Sequence, residues 1–128
     1  MNGWWLQLGD SELARAEPLD EHRLRLHWSA ALLVRGPQRG WASGISLLID
    51  GLPAMPVLDG LLGSVRDGRW QRLGPGDPWS PHLPLNQRCA GPLRLSLQLA
   101  WRLDWAVAAG ALTAEGPAEP ALREVLAC

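Results

Sequence analysis

From Leu93 to Leu103 the chain alternates without a slip. Leu93, Leu95, Leu97, Leu99, Trp101 and Leu103 fall on one parity, with Arg94, Ser96, Gln98, Ala100 and Arg102 on the other. A helix would spread those leucines around its whole circumference, whereas a strand puts them all on one face. The segment therefore reads as a strand with one buried and one wet side. Fully extended it would run roughly 35 Å, long for a small domain, so it is expected to bend or change sheets.

Other stretches repeat the pattern. Leu24, Leu26, Trp28, Ala30, Leu32 and Val34 alternate with Arg23, Arg25, His27 and Ser29. The same residues also give a helical stripe through Leu24, Trp28, Ala31 and Leu32, with Asp20 as a cap and Gly36-Pro37 as a stop. Strict alternation through Ser29 favours the strand. Trp41, Ser43, Ile45, Leu47 and Ile49 form the next run, and the two together read as a long antiparallel hairpin. Asp67-Gly68 carries the strongest local turn signal, a dipeptide suited to the positive φ angles of a tight hairpin. It predicts a short hairpin from about Leu61 to Leu73. Trp105 to Ala114 reads as a strand, with an Ala-rich helix as the alternative.

Breakers punctuate the rest. The stretch from Gly74 to Pro84 holds four prolines and two glycines, so a loop is expected there. Residues 9–21 suggest one turn or coil, with Ser11 as a helix cap and Pro18 as a stop. Glu119-Pro120 can open a short C-terminal helix with a face of Ala121, Leu122, Val125 and Leu126. The expected fold is mainly β: one domain over residues 1–128, an antiparallel β-sandwich or small barrel of about six to seven strands, plus that short helix.

Composition bears mainly on partners. Thirteen acids face twelve basic residues, all arginine, for a net charge of -1, which argues against phosphate-backbone binding. All eight aromatics are Trp, and Lys, Phe and Tyr are missing, a bias that follows GC-rich codons rather than a special aromatic surface. The N-terminus shows no charged region followed by an apolar run, and no stretch is long enough to span a bilayer as a helix. A soluble, cytoplasmic chain is the expectation. Its two cysteines, Cys89 and Cys128, would then be thiols, with a disulfide between them as the alternative.

Reactive constellations are hard to find. His22, His27 and His82 show no metal-ligand spacing with each other or with the cysteines. Asp77, Ser80 and His82 supply nucleophile-triad residue types within one loop, but closeness in sequence is not triad geometry. Neither a Walker loop nor a dinucleotide fingerprint occurs. No cofactor is expected, and no enzyme activity.

Tryptophan offers more. Trp28, Trp41 and Trp101 fall in register with aliphatic neighbours and are expected in the core, their indole N–H groups seeking backbone acceptors. A strand through Trp4 and Trp5 would bury one and expose the other. Trp70 and Trp79, with His82 nearby, are the candidate ligand-facing residues. The resulting expectation is a non-catalytic binding or interaction module with a protein or small-molecule partner and no membrane. One alternative is a carbohydrate or other flat-ring ligand held by Trp70 and Trp79. Another is single-stranded nucleic acid on an outer face shared by Arg23, Arg25, Arg94 and Arg102. A long sheet edge would also admit a homodimer by strand pairing.

Overall fold

The computed structural model describes residues 3–74, 76–100, 103–122 and, for the backbone alone, 125–127. Among these residues the secondary structure is entirely β. Nine strands follow in order: β1 (Trp5–Asp20), β2 (Arg23–Arg35), β3 (Gln38–Ala42), β4 (Ile45–Asp50), β5 (Gly63–Arg72), β6 (His82–Pro84), β7 (Arg88–Leu99), β8 (Asp104–Glu115) and β9 (Val125–Ala127). The main sheet runs β1-β5-β7-β8-β4-β2, and β2 pairs back with β1, so six antiparallel strands close into a barrel. Closure removes the free edges of a flat sheet and encloses one side of each strand. The short strands β6 and β3 continue the sheet beside β1 and β2, and the backbone of β9 pairs with β3.

Leucine fills the interior. Leu6, Leu8, Leu24, Leu26, Leu33, Leu93, Leu95, Leu97 and Leu99 are completely buried, with Trp28 and Ile45 packed among them. Each such side chain contributes about 1.5–3 kcal/mol relative to remaining in water. The ladder at Leu93 thus lies in β7 as the alternation requires. It ends at Leu99, and Trp101 and Arg102 lie outside the described residues. Residues 23–34 and 105–114 are strands as well, but the inward face of β2 shifts after Trp28: Ala31 and Leu33 are completely buried, whereas Ala30 and Val34 are half-exposed. The β2–β3 turn is tight: Gly36 takes φ 58° and Pro37 follows, between the paired Arg35 and Gln38.

Several expectations fail for identifiable reasons. Asp67-Gly68 is not a turn but the middle of β5, beside a bulge between Val65 and Asp67. Gly68 is there for close approach. A Cβ at that position would lie 2.6 Å from the Leu8 Cβ and 3.0 Å from Leu97, so the barrel wall closes only over hydrogen. Residues 9–21 are not coil but most of β1, whose parity changes midway: Leu6 and Leu8 point in, and after Asp10 the inward residues are Ser11 and Leu13. The C-terminal helix is also corrected, since Val125–Ala127 is extended and pairs with Gln38–Gly40. Within the Pro-rich loop, His82-Leu83-Pro84 forms an edge strand that buries Leu83.

Trp41 is corrected too. It stands half-exposed while Gly40 and Ala42 point inward, because Ser43 and Gly44 (φ 75°) interrupt the run and reset the parity before Ile45. Trp28 is buried as expected, but its indole N–H has no acceptor among the described residues. Trp4 is buried and Trp5 half-exposed, which matches the strand reading of that pair.

Candidate functional site

The irregular strand β1 shapes the most distinctive surface. Gln7 pairs with Leu32 and Glu12 with Ala30, so five steps along β1 answer two along β2. The surplus residues loop out of the ladder as a wide bulge, with Asp10 in the left-handed region at φ 60°. Asp tolerates that conformation better than most residues because its short side chain bonds locally. The backbone N–H of Leu32, facing the gap, would be orphaned. Ser11 answers it: its Oγ accepts from Leu32 N at 3.0 Å and donates to Gln7 O at 3.0 Å, which explains why a serine is buried here.

The bulge carries β1 away from β2 toward β5, where Ser11 pairs with Val65 and Glu12 with Ser64. Between the diverging strands lies an open groove of about 690 Å³. Its walls include Asp10, Glu12, Leu32, Arg39, Trp41 and Arg66. Two carboxylates and two guanidinium groups therefore line one cleft beside an aromatic ring.

Cross-strand pairing orders the sheet face beside the groove. Partners directly opposite share a face. One outer row runs Pro84, Trp5, Val34, Arg39, and the next runs His82, Gln7, Leu32, Trp41. Polar contacts tie these rows to the bulge. Arg39 Nη2 donates to Gln7 Oε1 at 3.3 Å, Gln7 Nε2 donates to Asp10 Oδ2 at 3.1 Å, and Trp41 Nε1 donates to Asp10 O at 3.3 Å. The buried Arg39 Nε–H has no acceptor among the described residues. An N–H held from water in this way costs on the order of 1–3 kcal/mol. Burial, and then the nearby Arg39 charge, hold the His82 ring below the ordinary imidazole range.

The sequence-derived candidates fall close to this face without forming one site. Trp70 is buried, and its indole N–H donates to His82 O at 2.7 Å. It lines a groove of about 180 Å³ with Arg72, Asp77, Pro78 and Ser80, a set that includes neither Trp79 nor His82. Trp79 is exposed and carries the Arg69 guanidinium at 4.5 Å from its ring centre. His82 belongs instead to the outer row with Gln7 and Trp41. Asp77, Ser80 and His82 make no triad contact: Ser80 Oγ donates to the His82 carbonyl at 3.1 Å, not to its ring.

The arginine face is not assembled. Arg23 and Arg25 lie on β2 and Arg94 on β7, separated by β4 and β8, while Arg102 lies outside the described residues. Arg23 is held by Asp20 at 2.7 Å and Arg25 by Glu115 at 3.3 Å. His27 lies on the outer β1–β2 surface against Glu17 at 2.8 Å, and this hydrogen bond holds the Glu17 carboxyl below its usual range. His22 binds Leu52 O through Nδ1 at 2.8 Å. Cys89 is a buried thiol whose pKa burial pushes up against the opposing pull of Arg72, so it is a poor nucleophile. Cys128 lies outside the described residues. Among the described residues there is no His, Cys, Asp and Glu cluster able to hold a metal ion, and no helix long and apolar enough to cross a membrane.

Sequence reasoning missed Asp10, Glu12, Arg39 and Arg66. Only the broken parity between Leu8 and Leu13 could have pointed to them. Compared with family models, with curated proteins and with solved structures, the chain has no match, so the site rests on its own chemistry.

Proposed function

We propose that this protein is a non-catalytic binding module that takes a flat-ringed, hydroxyl-bearing ligand, a carbohydrate, in the groove opened by the β1 bulge. The observation that carries the reading is the combination of Trp41 with Asp10, Glu12, Arg39 and Arg66 along one open cleft. A sugar ring offers C–H groups to an indole face and hydroxyls to planar side chains, and this lining supplies both kinds of partner. Carboxylates accept from sugar hydroxyls, and guanidinium groups donate to ring and hydroxyl oxygens. Trp79 is the second aromatic within reach of a ligand, but Arg69 already covers one face of its ring.

Titration of the full chain with a broad glycan panel, read by intrinsic tryptophan emission, tests the assignment. Binding that is lost in Trp41→Ala and kept in Trp79→Ala is the expected result. The reverse pattern would move the site to the Pro-rich loop. No emission change with any glycan would remove the carbohydrate reading.

A further inference from the structure

We infer that the ligand class of this groove is an acidic sugar, a hexuronate unit whose carboxylate is bound by Arg39. The inference rests on the groove being a carbohydrate site and adds the sign and position of one charge. Three observations support it. First, Arg15, Arg23, Arg25, Arg35 and Arg88 each stand within ion-pair distance of a carboxylate, whereas neither Arg39 nor Arg66 does among the described residues. Arg69, Arg72 and Arg94 also stand outside any ion pair among the described residues, and of these five arginines Arg39 and Arg66 share the groove. Second, the contact Arg39 makes is with a neutral amide oxygen, Gln7 Oε1, and its buried Nε–H has no acceptor among the described residues. That Nε–H is shut away from solvent, but a guanidinium has five donors in a planar fork, so the Nη hydrogens that Gln7 leaves free retain capacity for a carboxylate.

Third, the spacing fits. Arg39 and Trp41 are two residues apart on β3 and both line the groove, which places them roughly 7 Å apart along the strand. That is the reach of a pyranose ring carrying an exocyclic carboxylate. With the ring on Trp41 and the acid on Arg39, the ring hydroxyls fall toward Asp10 and Glu12, which repel an anion but accept hydroxyl hydrogens. The groove thereby sorts the two ends of an acidic sugar. A small inorganic anion such as phosphate has no ring to lay on Trp41 and would bring its charge close to the carboxylates of Asp10 and Glu12.

The test compares trimers of galacturonate, glucuronate and mannuronate with their carboxyl-reduced neutral counterparts and with inorganic phosphate, using calorimetry and tryptophan emission. At least one acidic trimer is expected to bind about tenfold more tightly than its neutral form, the change one charge-assisted hydrogen bond makes. In Arg39→Gln that preference should shrink to within about twofold while the neutral trimer still binds. Arg39→Lys, which keeps the charge but not the fork, serves if the glutamine variant does not fold and should retain only part of the preference. Equal binding of acidic and neutral trimers, a preference that survives loss of Arg39, or binding of phosphate alone would each overturn the inference. The first two results would leave the carbohydrate site standing. Failure of all the sugars would instead remove the site itself.

Discussion

Strands β7 and β1 line the same interior and are built on opposite plans. In β7 every second residue from Leu93 to Leu99 is completely buried, and its partners β5 and β8 flank it along that stretch. β1 pairs with β6, β2 and β5, and changes parity at Gly9-Asp10. From Leu93 to Leu99 the regular strand builds wall. The irregular one costs a left-handed Asp10 and a gap bridged by Ser11, and it returns a groove lined with charge. Regularity encloses the barrel, and its interruption supplies a surface on which chemistry can be placed.

The largest predicted effect lies in the regular wall. Leu97→Ala should destabilise by about 2–5 kcal/mol, since the closed barrel cannot collapse onto the cavity. Urea unfolding followed by tryptophan emission would measure it, and a loss under about 1 kcal/mol would deny the tight packing of β7. Where the two strands meet, Gly68→Ala pushes a methyl into the Leu8 Cβ at 2.6 Å, against atoms that cannot swing aside. About 3 kcal/mol is expected from that overpacking, again by urea unfolding. A neutral result would mean that Asp67-Gly68 is a turn after all.

In the interruption the expected losses are smaller. Ser11→Ala strands the Leu32 N–H, for about 1–2 kcal/mol. Hydrogen exchange should show the Leu32 amide opening faster in that variant, and unchanged exchange would deny the bridging role. The smallest effect depends on pH. The folded His82 ring resists protonation, so the unfolded chain takes up the proton more readily. The associated stability is complete above the ordinary value of 6.5 and declines as pH falls through it. His82→Gln should flatten the slope of stability between about pH 7.5 and 5.5, and an unaltered slope would place the titration elsewhere.

The same contrast explains what could be read from the sequence. β7 and β4 were legible because their alternation holds, and β2 as far as Trp28. Beyond it Ala31 and Leu33 turn inward, and Leu32 and Val34 fall on the outer face. β8, Ala-rich, was open between strand and helix, and pattern alone predicted a sandwich or small barrel. β1 was not. Its two inward sets, Leu6 with Leu8 and Ser11 with Leu13, are each too short to show a period, and Pro18 near its end suggests a stop. Trp41 misled for a related reason: it alternates with Ile45 on paper, but Ser43-Gly44 adds a step between them. Asp67-Gly68 has turn chemistry that tertiary packing overrides, since its glycine is needed against Leu8. The groove residues were invisible because they lie far apart in sequence, and only the pairing of β1 with β5 and of β2 with β3 brings Arg66 beside Asp10 and Arg39.

The central claim is that β1 loops out between Gln7 and Glu12 and so parts from β2. Interstrand nuclear Overhauser contacts in the labelled full chain test it most directly. Contacts linking Gln7 with Leu32 and Glu12 with Ala30, with Ser11 close to Val65, are the predicted pattern. An unbroken ladder that pairs residues 8–11 with β2 in one register would close the groove and contradict the account.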